Sequence, residues 1–344
     1  YPESKLSKKA VYLIGQNFQA LAYYEQAAKY YEQFARKFPG EDGTRCSAED
    51  KKNGTCPNAI EGLEQATFFR IGLGDDKTAI ENSDLFAKNY RRKLPRQTSQ
   101  VFFSIGSIYE RQERWLQVST HYREYLKKYG KVGLPNQLIQ AHTAIGRAFW
   151  ELNRKSEAKQ SFAAAVKTWT SGAPKRITAL KTSKDNKATY LRQALDSAAE
   201  SQFYLSEYKF ADFQKVAFPQ YRGGKSMARV KKWSDTEFKK WVKRKQGVLR
   251  AAEADYAKVA KMTVNAGGVQ MKSAPWQIAA ASRTGEMYRS FVDEFRDAPI
   301  PREIEKDPEL FDIYVGALDD VSEPLQRQAI DKFEFCLKTA TQVR

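Results

Sequence analysis

The apolar positions of this chain fall in short runs of helical period, and the same run returns along the chain. Ile14-Gly15 is followed by Phe18, Ile105-Gly106 by Tyr109 and Ile145-Gly146 by Phe149, and a small residue stands twelve positions after each glycine: Ala27, Val118 and Ala158. Each small residue opens a second run at spacings of four and three, reading Ala27-Tyr31-Phe34, Val118-Tyr122-Tyr125 and Ala158-Phe162-Ala165. Spacings of three and four place side chains on one face of a helix, so each unit is predicted to be two amphipathic helices packed together. Units that recur in this way stack on one another, and a stacked array offers an extended surface in place of a catalytic pocket.

The punctuation agrees. The first pair is predicted over residues 4–20 and 21–38 and closes at Phe38-Pro39-Gly40, where proline cannot continue a helix and glycine accepts a left-handed conformation. A polar loop with two cysteines follows. In the second pair Ala66, Phe69 and Leu73 precede Asp75-Asp76, and Ala79 and Phe86 stand where Ala27 and Phe34 stand in the first. The third pair is expected from about Thr98 to Gly130 and the fourth from about Pro135 to Trp169. An interior glycine costs a helix about 1 kcal/mol against alanine, so its reuse at one register implies close approach of the partner helix, with the small residue of that helix meeting it.

Beyond residue 170 the pattern stretches. Residues 171–187 are polar and basic and read as a loop between two halves, 1–170 and 188–344. A long helix is expected from Ala188 to Tyr208, then a connection through Pro219 and Gly223-Gly224, then a very long basic helix from Met227 to Met262 ending in Ala252-Tyr256-Val259. The last unit pairs Gly285 and Tyr288 with Ala329-Phe333-Cys336. The intervening residues hold Ala298-Pro299-Ile300-Pro301 and an extra helix near Glu309 to Val321 that would cap the array.

Taken together, these residues resemble tetratricopeptide repeats, which set a bulky residue, a small residue or glycine and an aromatic in the first helix, then alanine, an aromatic, a small or bulky residue and a proline in the second. The resemblance spans residues 4–170 and 188–343, lacks the first-helix tryptophan, and departs in unit length and in its insertions. It implies an all-α fold, a right-handed superhelical solenoid of helical hairpins with expanded repeats in the second half, whose concave groove binds peptides or helices. A narrower resemblance is carried by Tyr208-Lys209-Phe210-Ala211-Asp212-Phe213, Pro275-Trp276-Gln277-Ile278-Ala279-Ala280, Ala298-Pro299-Ile300-Pro301 and Glu323-Pro324-Leu325. These look like the tetratricopeptide proteins of myxobacteria and related predatory bacteria, including the adventurous gliding motility machinery, and imply a structural part of an envelope complex, in the periplasm.

Composition sharpens this in two places. Aromatic residues make up 13% of the 344 residues while glycine and proline are few, which suits helices packed through large side chains. Cys46 and Cys56 lie in one polar loop and are read as a disulfide, a bond that persists in oxidising compartments; a metal site is the rival reading, though no histidine or further cysteine lies nearby. Cys336 falls at a core position. No apolar run approaches the roughly 20 residues that span a bilayer. The chain starts without Met inside an amphipathic pattern (Leu6, Ala10, Leu13, Ile14) and is read as a mature piece whose targeting segment was removed.

Catalytic chemistry finds no foothold. The two histidines, His121 and His142, lie within repeat helices without metal-ligand neighbours, and His142 takes the core-facing position that Phe102 holds in the previous unit. Gly223-Gly224-Lys225-Ser226 has residues of a phosphate loop without the preceding glycine or a strand and is read as a turn. Glu49 to Gly54 has carboxylates but also two lysines, and is read as a solvated loop with no cation. No catalytic residue, cofactor or metal is assigned.

Two surfaces remain. Repeat register puts Tyr12, Gln16, Phe103, Ser107, Arg111, Arg147 and Trp150 on the inner faces of the first helices, where protein subunits or peptides would meet aromatic and guanidinium groups; the rival reading is that neighbouring repeats cover them. The formal charge is +17, and its densest run includes Arg229, Lys231, Lys232, Lys239, Lys240, Lys243, Arg244 and Lys245, interleaved with Trp233, Phe238 and Trp241. Lys232, Lys239 and Lys243 share one stripe of a straight helix. This ridge reads as a solvated face over a buried tryptophan stripe, as a site for an acidic protein, or as a site for an anionic polymer or membrane surface, with nucleic acid disfavoured. The expected role is a non-enzymatic interaction scaffold in a bacterial envelope.

Overall fold

The computed structural model describes residues 5–221, 227–298, 300 and 302–342. It is all-α apart from one hairpin, a helical-repeat array in antiparallel pairs. In chain order the helices are α1 (Lys5–Ala20), α2 (Tyr24–Lys37), α3 (Ala48–Lys52), α4 (Ala59–Leu73), α5 (Asp76–Tyr90), α6 (Pro95–Arg111), α7 (Trp115–Tyr129), α8 (Pro135–Glu151), α9 (Lys155–Thr170), α10 (Ala173–Thr178), α11 (Lys184–Gln214), α12 (Met227–Trp233), α13 (Lys239–Lys261), α14 (Ala274–Arg296), α15 (Arg302–Glu305) and α16 (Pro308–Gln342). A single π-turn, Ser234–Phe238, joins α12 to α13, and strands β1 (Thr263–Ala266) and β2 (Val269–Lys272) join α13 to α14. The chain forms two compact units, Tyr1–Ala158 and Lys159–Arg344.

In the first unit the repeat is written into the backbone of its turns. Each hairpin turn carries one residue in the left-handed region: Ala22 (φ 60°), Gly74 (φ 79°), Glu113 (φ 52°) and Asn153 (φ 55°). The next residue's N–H closes the same bond in every case, Tyr23 to the Phe18 carbonyl, Asp75 to Arg70, Arg114 to Tyr109 and Arg154 to Phe149, at 2.9, 2.9, 2.9 and 2.7 Å. This bond caps the last carbonyls of each first helix. Counting seven residues back from the left-handed position reaches Gly15, Gly106 and Gly146 in three units and Thr67 in the second, whose glycine signature is therefore absent from the sequence.

At Gly15, Gly106 and Gly285 the nearest atoms belong to aromatic rings and not to the small residues expected to touch them. A Cβ on Gly106 would lie 2.3 Å from Cζ of Tyr122, one on Gly15 would lie 2.9 Å from the ring of Tyr31, and one on Gly285 in the second unit 2.9 Å from the ring of Phe333. Gly62 of α4 also approaches Tyr31, where a Cβ would stand 3.2 Å from Cδ1, so this ring touches both its own hairpin and the next. The tyrosine hydroxyls complete the register: Tyr31 donates to Gln19 (2.7 Å) and Tyr122 to Glu110 (2.6 Å), each acceptor four residues after the glycine. In the second hairpin the equivalent positions are Thr67 and Ser83, so a larger residue on the first helix goes with a smaller one on the second.

The second unit departs from expectation in four places. Residues 171–187, expected as a loop, hold α10 and the start of α11, and α11 runs on through Tyr208 to Gln214. The basic helix ends at Lys261, beside the expected Met262, but is broken by the π-turn, and beyond it Gly267 and Gly268, both at positive φ, form the two-residue loop of a β-hairpin. The extra helix near 309–321 is not separate: α16 is continuous over Pro308–Gln342 with Pro324 inside it, and packs on α14. The expected turn at 223–226 and the prolines at 299 and 301 lie outside the described residues. The core here gathers Phe203, Phe213, Trp241, Tyr256, Met287, Phe291 and Phe295 from α11, α13 and α14.

Because the Gly106 contact is with a rigid buried ring, Gly106→Ala should destabilise the protein by about 1–3 kcal/mol through overpacking. Gly72 is exposed late in α4 with open space around its Cα. Gly72→Ala should instead stabilise by about 0.5–1 kcal/mol through helix propensity. Denaturant unfolding of the two variants, run side by side, measures both signs.

Candidate partner-binding surface

The seven positions expected on the inner face separate into three environments. Tyr12 is core, 2% exposed, with its ring tilted against Tyr31 (5.6 Å) and Phe34 (5.3 Å), and burial raises its phenol far above the ordinary range. It is not available to a partner. Gln16 is held by the cysteine loop, its amide donating to the Gly54 carbonyl at 2.8 Å. Phe103 is half-buried on Tyr122 and Tyr125 (5.2 and 5.1 Å), Ser107 is exposed, and Trp150 is half-buried with the Lys155 ammonium 3.4 Å from its ring centre.

The arginines are used to tie hairpin to hairpin. Arg111 donates from α6 to the Ile71 carbonyl (3.1 Å) and to Asp76 (2.5 Å), and Arg147 donates from α8 to Glu110 (2.8 Å). A further tie of the same kind joins α4 to α2, where Arg70 grips Glu32 through two nitrogens at 2.8 and 3.0 Å and Asn82 donates to the same carboxylate at 2.9 Å. Two-point guanidinium–carboxylate contacts between elements fix orientation as well as distance. The inner positions thus serve stacking first, and Glu110 holds both Tyr122 of its own hairpin and Arg147 of the next.

The cysteine loop is an ordered cover over this end of the array. Cys46 and Cys56 are bonded as expected, with Cα atoms 5.7 Å apart. Within the loop, α3 starts at Ser47, whose hydroxyl accepts from the Asp50 N–H (3.0 Å) while Asp50 accepts from Thr55 (3.0 Å) and from Lys9 of α1. Those bonds, with Lys9 foremost, hold the half-buried Asp50 carboxyl below its ordinary value. The Asp50 carboxylate is therefore occupied by donors within the chain, and among the described residues no group of three or more His, Cys, Asp or Glu comes together as a metal site.

In the first unit a group of exposed apolar side chains lies at the hairpin turn between α1 and α2. Leu21 is 67% exposed, Tyr23 57% and Tyr24 44%; Tyr23 stands edge-on to Phe18 (6.2 Å) and Tyr24 packs on Phe69 of the next hairpin (4.9 Å). Leu73 and Leu152 occupy the equivalent turn position and are also exposed. A run of apolar residues in a turn, where polar residues are the norm, was the signal for this edge. At the hairpins' opposite ends, a cleft of about 650 Å³ is lined by Glu64, Lys93, Leu94, Arg96, Gln97 and Lys131; burial raises the Glu64 carboxyl, and Gln97 donates to it at 2.6 Å.

The basic ridge belongs to the second unit. Arg229, Lys231, Lys232, Lys239, Lys240, Lys243 and Arg244 are all exposed, with Lys239 paired to Asp235 at 2.7 Å. Lys245 leaves the ridge: it is 1% exposed, donates to the Val216 carbonyl (2.9 Å) and Glu294 (2.6 Å), and lies 4.1 Å from the Phe213 ring centre. Trp241 is buried against Phe218, Phe291 and Phe295, and Trp233 packs on Tyr221 and Phe238. Among the described residues no helix is long and apolar enough to cross a membrane.

Both histidines are packing residues. His121 stacks on Phe102 at 4.5 Å and donates Nε2–H to the Phe102 carbonyl at 2.9 Å, while His142 is half-buried and burial lowers its pKa. Burial lowers His121 to about 4. An imidazole whose folded value lies below its unfolded one takes up a proton more readily on unfolding, so its contribution is complete above pH 6.5 and is lost as pH falls to 4. That contribution should be about 3 kcal/mol. Unfolding free energies of wild type and His121→Gln should converge across this window as pH is lowered. A second expected outcome concerns the thiols: alkylation in denaturant without reductant should label Cys336 alone, and mass spectrometry reads the number of labels.

No protein-family model matches the chain, and no curated protein matches it. Among solved structures it is similar to a tetratricopeptide repeat protein from Parabacteroides merdae ATCC 43184, with a TM-score of 0.34 and 12% identity over 94% of this chain and 99% of that one. The assignment to an all-α helical-repeat fold rests on the chain's own hairpins.

Proposed function

We propose that this chain is a non-catalytic scaffold that holds other protein subunits, with the turn edge of the first two hairpins as its docking surface. The observation that carries the reading is the exposure of Leu21, Tyr23 and Tyr24 on a frame whose inward Tyr12, Arg111 and Arg147 are spent on packing and stacking. Tyrosine offers a large contact area with few torsions to freeze and a hydroxyl at the rim, which is why it is enriched among the residues that dominate interfaces. Phe103, Ser107 and Trp150 supply a second contact strip on α6 and α8. The disulfide supports a place outside the reducing cytoplasm, and the sequence resemblance supports a bacterial envelope. The finer reading, a part in a trans-envelope motility machine, is supported by the sequence resemblance alone.

Tyr23→Ala/Tyr24→Ala should abolish cross-linking of partner subunits to a photoreactive residue placed at Leu21, while circular dichroism and the melting temperature stay near wild type. Each truncation should cost about 1–2 kcal/mol of binding, and binding should survive high salt. Unchanged cross-linking in the double variant, with loss only in Phe103→Ala or Trp150→Ala, would move the docking surface to the inner strip.

A further inference from the structure

The π-turn at Ser234–Phe238 decides what the basic ridge looks like. The Lys239 N–H reaches back to the Ser234 carbonyl, five residues earlier, so one residue is absorbed without advancing the helix. On a straight helix Trp233 and Trp241, eight residues apart, would point about 80° apart; with one residue absorbed they are effectively seven apart and share a face to within about 20°. Both tryptophans accordingly turn inward, with Trp233 5.5 Å from Tyr221 and Trp241 4.8 Å from Phe218.

The same rotation rearranges the cations. Lys232, Lys239 and Lys243, which share a stripe on a straight helix, no longer do. Lys231 now falls in line with Lys239 and Lys243, and Lys232 with Lys240 and Arg244, giving two rows about 100° apart that run for about 20 Å along the outside of α12 and α13. Between Arg229 and Arg244 two acidic residues, Asp235 and Glu237, stand in the π-turn between the clusters. Every large apolar side chain here whose environment is described is at least half-buried, since Trp233, Phe238 and Trp241 pack against Phe218, Tyr221 and Phe295.

We propose that this double row is a peripheral contact site for an anionic phospholipid surface, held by charge and not by insertion. Three features select that partner. Five of the seven exposed cations are lysines, and lysine is depleted from protein–protein interfaces, where its mobile, strongly hydrated ammonium must be fixed. A protein partner would need apolar anchors at the centre of the contact, and single-stranded nucleic acid would need exposed rings for stacking; the rings of this segment face inward. A fluid layer of headgroups needs neither, because the lipids move to meet charges spread over a convex helix, at about 1 kcal/mol for each cation near the surface. The proposal goes beyond the scaffold reading and stands on a different surface, so either can fail alone.

The test is co-sedimentation of the full chain with phosphatidylglycerol-containing vesicles and with pure phosphatidylcholine vesicles, at low and high salt. Because net charge alone draws a basic protein to anionic vesicles, the decisive comparison is between two variants of equal charge. Lys239→Gln/Lys240→Gln/Lys243→Gln/Arg244→Gln should lower partition onto phosphatidylglycerol vesicles by about 10²–10³-fold. Lys77→Gln/Arg92→Gln/Lys93→Gln/Lys127→Gln, on exposed positions of the first unit, should lower it by less than about tenfold. High salt should release the wild type, and tryptophan emission should not shift on binding. Equal losses in the two variants, equal binding to phosphatidylcholine, or a blue shift of tryptophan emission would overturn the proposal. So would failure to bind phosphatidylglycerol vesicles at low salt, which would leave the ridge to an acidic protein face.

Discussion

The contact on which the repeat frame depends is a ring laid on a glycine. Tyr31 over Gly15, Tyr122 over Gly106 and Phe333 over Gly285 bring the two helices of a hairpin closer than any side chain on the first helix would allow. The ring then fills the space that a Cβ would have claimed, and apolar area is buried without a void. In the two tyrosine hairpins the hydroxyl reaches one turn further along the first helix, to Gln19 or Glu110, which fixes the axial register of the pair as well as its spacing. Glu110 extends that register to the next hairpin through Arg147, so one carboxylate links packing within a repeat to stacking between repeats.

This arrangement explains why the inner face is a poor place to look for free binding groups. Arg70, Arg111 and Arg147 recur because each hairpin needs a charged, directional tie to its predecessor, and guanidinium groups supply two donors in one plane. Tyr12 stands on the same face by register, yet the neighbouring rings of Tyr31 and Phe34 close over it. The cysteine loop adds a cover at Gln16, pinned through Gly54 and Asp50. The side chains left uncovered are those of the turn edge, beside the left-handed residue that follows each first helix, together with exposed Ser107 and half-buried Phe103 and Trp150 on the inner face.

The second unit shows how an insertion can change function without changing the frame. Its Gly285–Phe333 contact repeats the hairpin rule, while the lengthened segment before α14 carries the π-turn, the buried Lys245 and the β-hairpin. Lys245 illustrates the limit of reading charge as surface. Lys243 and Arg244 before it are exposed, but its position on α13 points at Val216 and Glu294, which accept from its ammonium, and the Phe213 ring lies against it.

Period and residue size determined much of this molecule directly. The all-α class, the first three hairpins, the pairing of Gly285 with the helix that carries Phe333, and the Cys46–Cys56 bond all follow from local spacing, because helical period and loop closure are properties of neighbouring residues. The Gly267-Gly268 pair that turns the β-hairpin also stands in the sequence, past the end of the expected long helix at Met262. Tertiary structure alone decided the rest. A glycine shows that something comes close and not what comes, so the ring in place of the small residue had to be seen. One absorbed residue at Ser234–Phe238 turns everything before it by about a quarter of a circle, and composition carries no trace of that rotation. Which arginines are ties, which lysine is core and which tyrosines remain exposed depends on contacts between residues some 35–50 positions apart, and no local pattern specifies those.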